Sequence, residues 1–149
     1  MLTRFEGPVS YGSANKATES VHIVNITGTS EGLFMGSLLT EPEDWIYFAF
    51  HPQAGFDFRQ IDTGVFEHWV VRKEGSVPLV QGIFHTFPES TEINLKDLYE
   101  KHPTKEGLWL YTGRTDDMLV LASAEKIRPV PLEAIVYQHP GVSACIYVS

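Results

Sequence analysis

The sequence predicts an α+β fold, β-rich, built on a small distorted barrel or antiparallel sheet with an α/β piece after it. Three observations predict this. Short runs rich in β-branched and aromatic residues are set apart by Gly, Pro and Asp. Only the stretch opening at Pro131 carries convincing helical patterning. Hydrophobic residues make up 43% and charged residues 20% of the 149, ordinary for one globular domain.

In chain order, Ser10–Ser20 is weakly helical at best, and Val21–Ile26 reads as a strand running into the small-residue loop Thr27–Gly32. Trp45–Phe50, Val65–Arg72 and Val77–Phe84 read as further strands. Pro42, Pro52, Pro78, Pro88 and Pro103 fall in or beside connections, where a missing N–H matters least. Leu108–Thr112 is a strand, Gly113–Asp117 a hairpin turn and Met118–Leu121 the returning strand. The helix from Pro131 places Leu132, Ile135 and Val136 on one face. It stops by His139, because Pro140 pushes its predecessor out of helical geometry. Ser143–Val148 reads as a last strand.

Charge narrows the function classes. Eleven basic against nineteen acidic side chains give a net charge of -8, which disfavours a nucleic-acid surface. An anionic ligand needs a local cationic site or a bridging cation. Cys145 is the single cysteine, so neither an internal disulfide nor a thiolate metal cluster is available, and its apolar flanks suit a small hydrophobe. No apolar run reaches membrane-spanning length and Met1–Tyr11 has no signal-peptide pattern, so a cytoplasmic location without membrane attachment is expected. His51, His68, His85 and His102 are evenly spaced, but their neighbours do not match and the spacing is too wide for a zinc motif.

Four places could carry chemistry. In Gly28-Thr29-Ser30-Glu31 a hydroxyl and a carboxylate stand side by side after a strand, able to meet a phosphate directly and through Mg²⁺. A polar turn with Glu31 in solvent is the alternative. In Gly113-Arg114-Thr115-Asp116-Asp117, Arg114 offers a bidentate fork to ribose or phosphate, where a plain hairpin turn is the alternative. Asp97, placed after an alternating strand, can accept both hydroxyls of a ribose or can simply be a loop or helix-start Asp. Ser123-Ala124-Glu125-Lys126 joins the hairpin to the last α/β piece, or is a solvated loop. No Gly-x-Ser-x-Gly elbow surrounds a serine, which speaks against a hydrolase.

Taken together, these pieces resemble the second half of the adenylation domain of the adenylate-forming (AMP-binding) superfamily. The nearest likeness is to fungal carboxylic acid reductases with a nonribosomal-peptide-synthetase-like adenylation domain. Leu39–Pro52, Phe84–Pro88 and Lys101–Lys105 carry the subgroup likeness, and Gly113–Asp117 with Glu125–Pro129 is the strongest match. The resemblance implies that Ser30 contacts the AMP phosphate, Glu31 binds Mg²⁺, Asp97 holds the ribose and Arg114 holds ribose and phosphate. It implies a hinge at Asp116, with residues 1–115 ending the large subdomain and 116–149 starting the small C-terminal α/β subdomain. The loop Ser123–Lys126 would face a carrier protein's pantetheine arm.

Departures accompany the likeness. The family usually has an aromatic residue at the position of Thr27. Its ribose motif reads Tyr-Arg-Thr-Gly-Asp, of which Ile93-Asn94-Leu95-Lys96-Asp97 keeps the aspartate, and Ala124 replaces a usual glycine. The phosphate-cradling Gly/Ser/Thr loop and the catalytic lysine lie outside the 149 residues, so no catalytic residue is assigned. Adenylation needs fixed positive groups at the α-phosphate, and losing one costs on the order of a hundredfold in rate. The expectation is a fragment of an ATP-dependent acyl-adenylate-forming enzyme, inactive alone unless the missing segments act in trans. The alternative is a non-catalytic remnant or paralogue serving as a nucleotide- or protein-binding module.

Overall fold

The computed structural model describes residues 21–29, 33–35, 37–75, 80–120, 126–127, 129–139, 141–143 and 145. Six strands form one antiparallel sheet: β3 (Ser37–Leu38), β4 (Tyr47–Phe50), β5 (Phe56–Asp62), β6 (Val65–Val71), β7 (Glu92–Lys101) and β8 (Leu108–Arg114), in the spatial order β3-β4-β8-β7-β6-β5. Before it, β1 (Thr27–Gly28) pairs antiparallel with β2 (Phe34–Met35). After it, β9 (Leu119–Val120) pairs with β10 (Lys126–Ile127), and a helix runs over Pro129–Tyr137. The fold is the expected strand-rich one, with few helices.

Residue chemistry explains the sheet. Phe58, His68 and Tyr99 come from adjacent strands, and Phe48 and Phe50 from β4. Phe58 lies flat on His68 at 4.7 Å and on Trp109 at 3.8 Å, while Tyr99 meets Phe50, Phe58 and His68 edge-on. Such offset and edge contacts add to the burial of large apolar rings. Leu33, Val70, Ile83, Phe84 and Leu95 form a second cluster, joined by Phe50, Phe56 and Ile93.

One glycine is indispensable to the β5 edge. Gly55 has φ +74, and a Cβ there would sit 2.3 Å from Gln81 Nε2 and 2.4 Å from the Val71 carbonyl. The space belongs to the buried Gln81 amide, which donates to the Ala54 and Val71 carbonyls and accepts from the Lys73 N–H.

Several expected elements are corrected. Val21–Ile26 is not a strand: it is irregular, tied down by Asn25 donating to the Trp45 carbonyl and by His22 Nε2 at 2.8 Å from the Thr40 carbonyl. Val77–Phe84 is not a strand where described. Residues 80–82 turn and Ile83–Thr86 make one helical turn, because burying Ile83, Phe84 and the Gln81 amide together requires a compact bend. That turn is braced by Arg72, whose guanidinium donates to the carbonyls of Phe87, Pro88 and Ser90 and lies 4.4 Å from the Phe84 ring. β8 continues through Gly113 to Arg114, and β9 pairs with β10 instead of returning along β8, so Gly113–Asp117 is not a hairpin turn. The helix begins at Pro129, earlier than Pro131. Ser10–Ser20 and most of Ser143–Val148 lie outside the described residues.

Candidate functional site

A cleft of about 790 Å³ opens where β1 and the middle of β7 approach the end of β8, a size suited to a small-molecule ligand. Thr27–Thr29 line one side and Lys96, Asp97, Arg114 and Asp116 another. Phe87 and Tyr111, both more than a third exposed, add aromatic surface. Three sequence-expected residues, Asp97, Arg114 and Asp116, therefore share one cavity. Ser30 and Glu31 lie outside the described residues; they belong to the connection between β1 and β2, whose base is closed by Thr29 N–H donating to the Leu33 carbonyl at 2.8 Å.

Two irregularities aim the side chains. Asp97 is inside β7, not after a strand as expected. Glu67 pairs with Leu98 and Trp69 with Asn94, so His68 alone faces Leu95, Lys96 and Asp97. Lys96 in this bulge has φ 63, in the left-handed region. A non-glycine there costs on the order of 1 kcal/mol. The strain is held by Lys96 N–H donating to Asn94 Oδ1 at 2.7 Å and by the Lys96 carbonyl accepting from Thr115 N at 2.8 Å. On β8 the register shifts again opposite Leu98 and Tyr99, with Gly113 at φ 123. Bulges of this kind re-aim side chains beside functional sites.

The charges are interlocked. Arg114 Nη1 donates to Asp97 Oδ1 at 3.3 Å, and Arg114 Nη2 lies 3.6 Å from Asp116 Oδ2. Lys96 Nζ reaches Asp116 Oδ1 at 3.1 Å. Asp97 is 8% exposed, and burial pushes its carboxyl up to about 6 despite Arg114, with Asp116 and Asp117 adding to the rise. Burial, with Asp97 nearby, likewise pushes the Tyr111 phenol up to about 12. Thr115 Oγ1 donates to Glu67 Oε1 at 2.8 Å, tying the start of the β8–β9 connection to β6. Chemically the cleft offers a carboxylate with spare acceptor capacity beside a guanidinium, next to a loop of small residues. Among the described residues no group of three or more His, Cys, Asp or Glu could hold a metal.

No protein-family model matches the chain. It is 49% identical, over 140 residues and 94% of its length, to the isocyanide synthase-NRPS hybrid crmA of Aspergillus fumigatus. It is 35% identical over 151 residues to the carboxylic acid reductase of Neurospora crassa, and 31% identical over 144 residues to the adenylate-forming reductase Nps11 of Serpula lacrymans var. lacrymans, again across 94% of the chain. The chain belongs to the adenylate-forming superfamily. It spans 8%, 14% and 13% of the lengths of these relatives. The amide bond synthetase McbA from Marinactinospora thermotolerans shares the fold, with a TM-score of 0.62 at 18% identity over 92% of this chain and 31% of McbA.

Against the adenylate-forming ribose motif, the unusual residue is Lys96, which stands where that motif has glycine and keeps the positive φ that glycine takes readily. Neither Lys96 nor Asn94 was among the expected site residues; a lysine at a glycine position of the motif was the one signal available. Thr27 sits at the cleft without a ring. No helix among the described residues is long and apolar enough to cross a membrane.

Proposed function

We propose that the chain is the nucleotide-facing part of an adenylation domain, whose intact protein uses ATP to activate a carboxylic acid and then passes the acyl group to a carrier thiol. In this reading the Asp97 carboxylate accepts hydrogen bonds from the ribose hydroxyls. Arg114 orients that carboxylate and donates to ribose and phosphate, while Ser30 donates to the phosphate. Glu31 would hold Mg²⁺ together with phosphate oxygens, the ligand set this ion prefers. The metal would neutralise phosphate charge; the fit of Glu31 rests on its chemistry and on its place next to the cleft-lining Thr27–Thr29. The single observation that carries the reading is the cleft itself, which gathers residues from three distant stretches, Thr27–Thr29, Asp97 and Arg114–Asp116.

The chemistry that the fragment would serve balances simply. A substrate carboxylate oxygen attacks the α-phosphorus, the bond to pyrophosphate breaks, and acyl-AMP forms. The carrier's thiol then loses its proton to solvent, its sulfur attacks the acyl carbon, and AMP leaves with the electron pair. The residues of this chain bind and orient the AMP portion throughout. Asp116 is proposed as the hinge between residues 1–115 and 116–149, a division supported by β8 ending at Arg114 and β9 pairing away from the six-stranded sheet. The loop Ser123–Lys126 is proposed to face the pantetheine arm. Without the phosphate loop and the lysine, the 149-residue segment by itself is expected to bind nucleotide and not to turn over.

Calorimetric titration of the purified chain with ATP and Mg²⁺ tests this, alongside Glu31→Ala and Arg114→Ala. Weak binding that both changes reduce tenfold or more supports the reading; binding indifferent to both removes these residues from the site. Pyrophosphate exchange with mixed carboxylic acids should give no signal, and robust exchange would overturn the expected inactivity. A protein-binding module is favoured by one observation: Leu132, Ile135 and Val136 on the Pro129–Tyr137 helix are each more than a third exposed. Absence of any nucleotide binding would leave that reading standing.

A further inference from the structure

The cleft poses an electrostatic problem for an anionic ligand. Arg114 already lies 3.3 Å from Asp97 and 3.6 Å from Asp116, so two carboxylates claim its one charge. With Asp117 close enough to act on Asp97 as well, a phosphate facing only these groups would meet net negative charge. Among the described residues the other cation lining the cleft is Lys96.

Lys96 is placed there at a cost. Among the described residues it is the one non-glycine with positive φ, and glycine would relieve the backbone. Its backbone is pinned from both sides, by Asn94 Oδ1 and by Thr115, which fixes the point at the cleft wall from which the side chain leaves the strand. Its ammonium rests 3.1 Å from Asp116 Oδ1, with both side chains about half-exposed (50% and 43%). Ion pairs of that exposure are weak and exchange readily. An observed backbone outlier at a cavity wall is a pointer to function.

Building on the nucleotide reading above, we propose that Lys96 is a phosphate-binding residue of the cleft, parked on Asp116 in the free protein and transferred to the nucleotide phosphate on binding. The transfer unpairs Asp116 from its stronger contact, so ligand binding and the freedom of the β8–β9 connection are linked. No covalent step is involved; one ion pair is exchanged for another.

Titrations with AMP and with adenosine distinguish this role from a structural one. Lys96→Gly and Lys96→Asn both suit a left-handed backbone and remove the charge. Each should weaken AMP binding about fivefold to tenfold and change adenosine binding less than twofold. Asp116→Asn should tighten AMP binding a few-fold in the native background and by clearly less beside Lys96→Gly, where only Arg114 is released. Thermal melts should show Lys96→Gly at least as stable as the native chain. Equal weakening of AMP and adenosine, or AMP binding unchanged by both Lys96 variants while Arg114→Ala weakens it, would overturn the assignment alone. AMP binding indifferent to Arg114→Ala as well, or absent from the native chain, would overturn the nucleotide reading and this inference with it.

Discussion

Burial raises the Asp97 carboxyl from 3.8 to about 6, more than the Arg114 guanidinium can offset. Between those values the folded chain holds a proton that the unfolded chain has released, so this residue's contribution to stability falls as pH rises and is lowest above about 6. Asp97→Asn should therefore stabilise the fold at pH 8 by on the order of 1–3 kcal/mol, with the gap closing by pH 4 in denaturant titrations. If Asp97 accepts ribose hydroxyls as an ion, adenosine affinity should also drop as pH falls through about 6, and Asp97→Asn should bind adenosine weakly at every pH. The binding measurement separates a site carboxylate from a structural one, since a carboxylate without contact to the ligand would not make adenosine affinity follow its own ionisation. That Arg114 and Asp97 share a cleft was legible because a guanidinium and a carboxylate stand at matching motif positions. Lys96 was passed over, because a lysine at a motif glycine gains weight only once the backbone angle there is known.

Among the elements, the sheet edge at β5 depends on Gly55. Gly55→Ala would drive a methyl group against the Val71 carbonyl and the Gln81 amide at positive φ; the amide could move aside only by giving up its hydrogen bonds, and the carbonyl is backbone. Destabilisation of about 2 kcal/mol or more is expected in urea unfolding, larger than for Gly64→Ala, where nothing lies within 4 Å of the added Cβ and the loss is the backbone term alone. The strands β4, β6 and β8 could be read from their β-branched and aromatic runs. β5 was missed because Phe56-Asp57-Phe58-Arg59-Gln60 alternates over few residues and its polar face is rich in charge. Val77–Phe84 misled for the opposite reason: an apolar run fits a strand or a buried turn equally, and only the partners of Gln81 decide between them. The bulge in β7 was invisible because it arises from pairing with β6, a long-range property.

Across the whole molecule, two buried titrating groups oppose one another. His68 is fully buried, and burial lowers its imidazole from 6.5 to about 3. The unfolded chain takes up that proton first as pH falls, so stability is lost from about pH 6.5 downward. Over pH 4–6 this loss offsets the gain from protonating Asp97. The native chain should show a shallow contribution from the pair, His68→Phe should become more stable on acidification through that window, and Asp97→Asn should become less stable; melting temperatures at pH 4, 5, 6 and 7 give the slopes. The α+β, strand-rich architecture was readable from composition and punctuation, whereas the pairing of β9 with β10 was not, because nearest neighbours in sequence suggested a hairpin with β8. What unites these scales is a sheet whose two bulges bring Asp97 and Arg114 to the wall that β1 completes. Amide chemical-shift mapping with AMP tests this most directly: perturbations should cluster at Thr27–Thr29, Lys96–Asp97 and Arg114–Asp116, whereas shifts centred on another face, or none at millimolar AMP, would contradict a nucleotide cleft at this place.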